Sequence, residues 1–113
     1  MRSTTEVLHS HLADRLAGRV DDDIEANYAD DVVLLGGSGH YLGKAGVRAS
    51  AEQLERLLPG VEFAYEQTVL EGDYAFLEWA AYRDGAQAAL GADSFVIRDG
   101  RIRMQTVHFR VLG

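Results

Sequence analysis

The chain has 113 residues, enough for one domain and one core, which excludes an enzyme built from separate cofactor and substrate domains. Eleven Lys and Arg against 18 Asp and Glu leave a net charge of −7, which repels phosphate backbones and argues against nucleic acid as a partner. With no Cys, disulfide frameworks, thiolate nucleophiles and Cys-ligated metal sites are excluded.

Ser3 to Gly18 is predicted as a helix. Ser3 and Glu6 have capping-box spacing, Val7, Leu8, Leu12 and Leu16 form an apolar stripe, and Gly18 is a C-terminal stop. No apolar leader opens the chain, and no apolar run approaches the ~20 residues of a membrane span. The expectation is therefore a cytoplasmic protein with no membrane partner. Asp21, Asp22 and Asp23 start a second, short helix, where acids suit the positive end of the helix dipole. Asp30-Asp31 ends it, and Val32 to Leu35 is a short strand. Gly36-Gly37-Ser38-Gly39 reads as a flexible loop. It is not a phosphate-binding loop, because Gly43-Lys44-Ala45 lacks the required Ser or Thr after the Lys. Lys44 to Leu58 is a third helix, ended by Pro59-Gly60.

From Val61 the period changes to two. Four strands follow, Val61–Leu70, Tyr74–Tyr82, Ala86–Ile97 and Arg101–Leu112, with Asp84-Gly85 and Asp99-Gly100 as hairpin signals. Helices followed by an antiparallel meander make an α+β fold. Alternation puts Leu77, Trp79, Ala81, Asp93, Phe95, Ile97, Gln105, Val107 and Phe109 on one face of the sheet. It puts Tyr74, Phe76, Tyr82, Ser94, Val96, Ile102, Met104 and His108 on the other. Both faces are substantially apolar. Three helices can cover one, and a second copy of the chain is the simplest cover for the other, so a homodimer is expected.

The order of elements, with Tyr28-Ala29-Asp30-Asp31-Val32-Val33, Gly43-Lys44-Ala45-Gly46-Val47-Arg48 and a meander ending in Ile97-Arg98-Asp99-Gly100-Arg101-Ile102, resembles the nuclear transport factor 2-like superfamily, most nearly its SnoaL-like group. The resemblance covers nearly the whole chain. It implies a cone-shaped, curved antiparallel sheet wrapped around three N-terminal helices, an α+β barrel around an apolar pocket. It also implies pairing through the sheet. The superfamily holds ketosteroid isomerases, polyketide cyclases, scytalone dehydratases and limonene epoxide hydrolases beside non-catalytic transport and association modules. Of the isomerase roles, the base position falls at Gly36 and the oxyanion-hole tyrosine at Leu12, while the second oxyanion acid matches Asp93. The cyclase acid–base position falls at Val107, and the Arg and Asp of the epoxide hydrolases at Trp79 and Ala81. The pocket is retained and the best-known chemistries are not.

Asp93 is the most unusual placement in the chain, an acid inside the apolar run Gln87 to Ile97. Facing a pocket, it would have a raised pKa and could donate or accept a proton. Facing a closed core, it would be satisfied by Gln105, Ser94 or the backbone. Asp93 and Gln105 are the candidate catalytic residues, with Gln105 orienting a carbonyl or hydroxyl. Trp79, Leu77, Phe95, Val107, Phe109, Leu12, Tyr41 and His40 are the candidate ligand-binding residues, the last two on the Gly-rich loop. His108 would reach the pocket only past a bulge. His9 and His11 point apart on their helix, no His, Asp or Glu set has metal-ligand spacing, and no G-x-S-x-G elbow is present, so neither metal nor cofactor is expected. The expected ligand is a mostly apolar molecule with one or two oxygens, and the expected chemistry isomerase-, cyclase- or dehydratase-type. The alternative is a non-catalytic dimerisation or association module. Arg98, Arg101, Arg103 and Arg110 make the last hairpin locally basic, either as a solvated edge or against the acidic N-terminal third of a partner subunit.

Overall fold

The computed structural model describes residues 1–112. Its elements are α1 (Thr4–Leu16), α2 (Val20–Asn27), β1 (Tyr28–Gly36), β2 (Gly39–Leu42), α3 (Gly43–Leu57), β3 (Glu62–Glu71), β4 (Tyr74–Arg83), β5 (Ala86–Arg98) and β6 (Arg101–Val111). Ser3 caps α1 with a reciprocal box: its hydroxyl accepts the Glu6 amide at 3.1 Å, and the Glu6 carboxylate accepts the Ser3 amide at 2.8 Å. Asp84-Gly85 and Asp99-Gly100 both have positive φ at each residue, which matches the twist of the strands that the two tight hairpins join.

The six strands form one sheet in the order β2-β1-β6-β5-β4-β3. β1 runs parallel to β6 and every other pair is antiparallel. The sheet is curved and stays open, with β2 and β3 as its edges. Extra residues at Glu66 in β3, Ala88 in β5 and Arg103 in β6 shift the register and bend it. α1 lies across β3, β4 and β5, α3 lies against β1 and β2, and α2 packs between α1 and α3 and touches β1 and β6. Leu8, Ile24, Tyr28, Leu77, Phe95, Ile97 and Ile102 are fully buried between these layers.

Two expectations are corrected. The Gly-rich segment is not a free loop: Gly39–Leu42 is the edge strand β2, with Tyr41 opposite Leu34 and His40 opposite Leu35. All three helices precede the four-strand meander, α3 following this hairpin. Ile102 lies in the core instead of on the outer face. Val96 pairs Met104 while Ile97 pairs Ile102, so an extra residue at Arg103 reverses the alternation beyond it.

The basic C-terminal hairpin is engaged within its own chain. Arg101 donates to the carbonyls of Glu25 and Ala26 at 2.9 and 2.8 Å, at the negative end of α2, and Arg98 pairs with Asp73 at 3.0 Å. Among the described residues no helix is long and apolar enough to cross a membrane.

Candidate functional site

Between the helices and the concave face of the sheet lies a cavity of about 850 Å³. Asp93 stands on its floor. Its cross-strand neighbours are Leu77 and Val107, so Trp79 and Gln105 are its diagonal neighbours, within reach only because their side chains are long. The Trp79 indole N–H donates to Asp93 Oδ1 at 3.0 Å, and the Gln105 amide donates to Asp93 Oδ2 at 3.0 Å. Gln105 Oε1 accepts the Tyr28 hydroxyl at 2.5 Å. One chain of hydrogen bonds thus links β1, β6, β5 and β4 beneath the cavity.

Only 8% of Asp93 is exposed, and among the described residues it has no cation at hydrogen-bond distance. Burial pushes its pKa up, against the pull of Trp79, His11, Gln105 and Arg15. A protonated Asp93 keeps both accepted hydrogen bonds and has an O–H left to donate into the cavity. Gly91, opposite Trp79, makes this geometry possible. A Cβ at Gly91 would lie 2.2 Å from the Trp79 ring, so only glycine lets the indole lie against β5 and aim its N–H at Asp93.

Leu77, Trp79, Val107 and Phe109 wall the cavity from the sheet, Leu12 from α1 and Tyr41 from β2. Trp79 packs edge-on against Phe63 at 5.5 Å and tilted against Phe109 at 5.9 Å. The Tyr41 hydroxyl meets Ser38 Oγ at 2.9 Å and donates to Gln53 of α3, tying the β1–β2 turn to α3 at the mouth. Two candidate ligand-binding residues are placed elsewhere. His40 faces solvent, because it alternates with Tyr41 on β2. Phe95 does not line the cavity; it is buried in the core beside it, packed against the His11 ring at 5.5 Å. His108 pairs Ala92 with no bulge nearby; it borders the cavity between Val107 and Phe109, but it is exposed and alternates with those two inward-facing residues.

A second polar cluster at this cavity is not anticipated from the sequence. Asp23, fully buried on α2, accepts His11 Nδ1 at 2.8 Å and Arg15 Nε at 2.6 Å on one oxygen, and Asn27 Nδ2 at 2.8 Å on the other. Arg2 donates to Asn27 at 2.7 Å. Burial raises the Asp23 carboxyl, but the hydrogen bond from His11 and the charge and hydrogen bond of Arg15 outweigh it and hold the group below the ordinary carboxylate range. His11 and Arg15 both line the cavity, as does Tyr65, whose phenol burial pushes up to about 12. The signal for this cluster was the i, i+4 spacing of His11 and Arg15 on one helix face.

The sequence profile of the SnoaL-like domain matches residues 9–104. No curated protein sequence matches the chain. Among solved structures, a nuclear transport factor 2-like protein of unknown function from Burkholderia xenovorans is 22% identical with a TM-score of 0.78, over 97% of this chain and 84% of that one. A candidate isomerase of the SnoaL-like family from Agrobacterium tumefaciens is 19% identical with a TM-score of 0.76, over 95% of both chains. TerC, co-crystallised with polyporic acid, is 18% identical with a TM-score of 0.76, over 95% of this chain and 91% of its own.

Proposed function

The chain belongs to the SnoaL-like domain family, and on that premise we propose that its cavity takes a mostly apolar molecule with one or two oxygens and acts on it by proton transfer or by adding or removing water. The observation that carries this reading is Asp93, an acid on the floor of an open cavity whose two oxygens are positioned by Trp79 and Gln105. Its raised pKa suits a group that donates a hydrogen bond or a proton to a ligand carbonyl. Gln105 orients the acid and the ligand oxygen. Leu77, Trp79, Val107, Phe109, Leu12 and Tyr41 supply the apolar walls. The likeness to TerC supports an oxygenated aromatic ligand, and the likeness to the Agrobacterium protein supports isomerase-type chemistry.

Trp79 is the only tryptophan, so its emission reports on this cavity alone. We expect polyporic acid, and simpler aryl ketones, to quench Trp79 and raise the melting temperature. Asp93→Ala should weaken binding about tenfold or more, the ordinary effect of removing a hydrogen bond of some ~1.5 kcal/mol. Equal affinity in wild type and Asp93→Ala would remove Asp93 from recognition.

The association reading is favoured by one specific observation, the outer face of the sheet. Val33, Met104, Val96 and Tyr74 stand side by side across four strands, and Phe76 and Val69 adjoin them. Tyr74 is 60% exposed and Val69 52%. An isologous pairing of two such faces would bury this patch and leave the cavity untouched. The two readings are therefore compatible, and the chain is proposed to act as a homodimer. Sedimentation at micromolar concentration should give a dimer, and Phe76→Asp a folded monomer. A monomeric wild type would defeat the pairing.

A further inference from the structure

The geometry points to His11 as a proton acceptor of the cavity, a general base for a carbon acid whose adjoining carbonyl oxygen is held by Asp93. This rests on the reading that an oxygenated ligand occupies the cavity at Asp93, and it names the kind of hydrogen that is moved.

The imidazole is fixed on three sides. Its Nδ1 is 2.8 Å from Asp23 Oδ2. Its ring packs edge-on against Tyr28 at 5.7 Å and against Phe95 at 5.5 Å. Asp23 is ionised by its contacts with Arg15 and Asn27, and a carboxylate can only accept. Nδ1 therefore carries a hydrogen, and in the neutral imidazole the lone pair is on Nε2. That atom has no partner among the described residues, yet no buried side-chain nitrogen or oxygen among them is left unsatisfied. Nε2 must then meet open space, and the space that His11 lines is the cavity.

The acid and the base face a common volume. Phe95, which touches the His11 ring, is two residues from Asp93 on the same face of β5, about 6.6 Å along the strand. A carbonyl group and its α-carbon fit that span. The Asp23 carboxylate also contacts the imidazole directly, so the positive charge that His11 gains with a proton forms beside a negative one that Arg15 shares. The charged and titratable groups around the ring are Arg15 on α1, Asp23 on α2, Tyr28 on β1, Tyr65 on β3 and Asp93 on β5. Asp23 touches only the imidazole side remote from the cavity, so it is a positioning residue.

The probe is 5-nitrobenzisoxazole, a compact aromatic carbon acid. His11 Nε2 takes the hydrogen from C3, and the C–H electron pair becomes the new π-bond of a nitrile. The N–O bond breaks with its electron pair leaving on oxygen, giving a coloured phenolate, and the imidazolium returns its proton to water. We expect the wild type to accelerate this step, with a rate that rises with pH as one group deprotonates. His11→Gln should lower the rate about 100-fold or more, in the usual range for losing a general base. Exposed His9→Gln on the same helix should leave it unchanged. Asp23→Asn should lower the rate and move the pH profile, which a purely structural residue would not do. Trp79 quenching measures binding of the probe separately. Binding with no turnover, or with equal turnover in wild type and His11→Gln, overturns the base and leaves the cavity reading standing. No binding up to the solubility limit overturns both. Should His11→Gln fail to fold, the wild-type profile decides: one deprotonation supports the base, and a flat profile overturns it.

Discussion

Asp23→Ala should destabilise the fold by about 3–5 kcal/mol, the usual cost of breaking a buried ion pair from one side. Domains of this size have roughly 5–15 kcal/mol in all, so the loss is a large share. Asp23 is fully buried and accepts three donors, from His11, Arg15 and Asn27. Removing it leaves those donors without an acceptor where α1, α2 and β1 meet, and an arginine without its counter-charge. The neighbouring Asp22 is exposed and serves only the helix dipole, so Asp22→Ala should cost about 0.5 kcal/mol. The pH dependence has a definite sign. The Asp23 pKa is held below its ordinary value, so its contribution is present above the ordinary carboxylate range and is lost as pH falls through the lowered folded value. Urea melts of wild type and Asp23→Ala should therefore converge in acid. Equal small losses for Asp22→Ala and Asp23→Ala would show that the cluster holds nothing together.

The contrast between these two acids explains what the sequence could and could not disclose. Asp21, Asp22 and Asp23 are one run, and each has the same local reason to start a helix. What separates Asp23 is the packing of α2 on α1, a tertiary contact twelve residues back at His11. No period within either helix encodes it. Asp93 was legible for the opposite reason. It interrupts an apolar strand, and strand alternation alone assigns it a face shared with Trp79 and Gln105. Alternation fails where a residue is inserted. The bulge at Arg103 carries Ile102 into the core, and nothing in Arg101-Ile102-Arg103-Met104 announces it. The β1–β2 hairpin was hidden differently. Gly36 to Gly39 has turn chemistry, but four residues are too few for a visible period, so the pairing that turns His40 to solvent and Tyr41 inward emerges only against β1. The capping box and the two Asp-Gly hairpins were legible because their physics is local.

Asp93→Asn should stabilise the protein at neutral pH by about 1–3 kcal/mol, the size of a desolvation penalty relieved at one buried polar group. Here the sign is opposite to that of Asp23. Burial raises the folded pKa of Asp93 above its unfolded value. Its protonated form is thus the one the fold prefers. That preference is fully expressed below the unfolded pKa of ~3.9 and is lost as pH rises through the folded value. Wild type should lose stability over that interval, while the Asp93→Asn variant, whose amide does not ionise, should not. The oxygen of that amide can still accept from Trp79. Gln105 can turn its own amide so that its oxygen accepts from the new Nδ2, and the Tyr28 hydroxyl can then accept in place of donating. The measurement is the difference in urea midpoint between wild type and Asp93→Asn from pH 4 to 8, which should begin near zero and grow. A retained destabilising acid among apolar residues has its physical justification in what it does to a ligand, so the same substitution should weaken binding read at Trp79. If wild type and variant stay equally stable across this pH range, Asp93 is no more costly ionised than neutral, and its role as a proton donor in the cavity is lost.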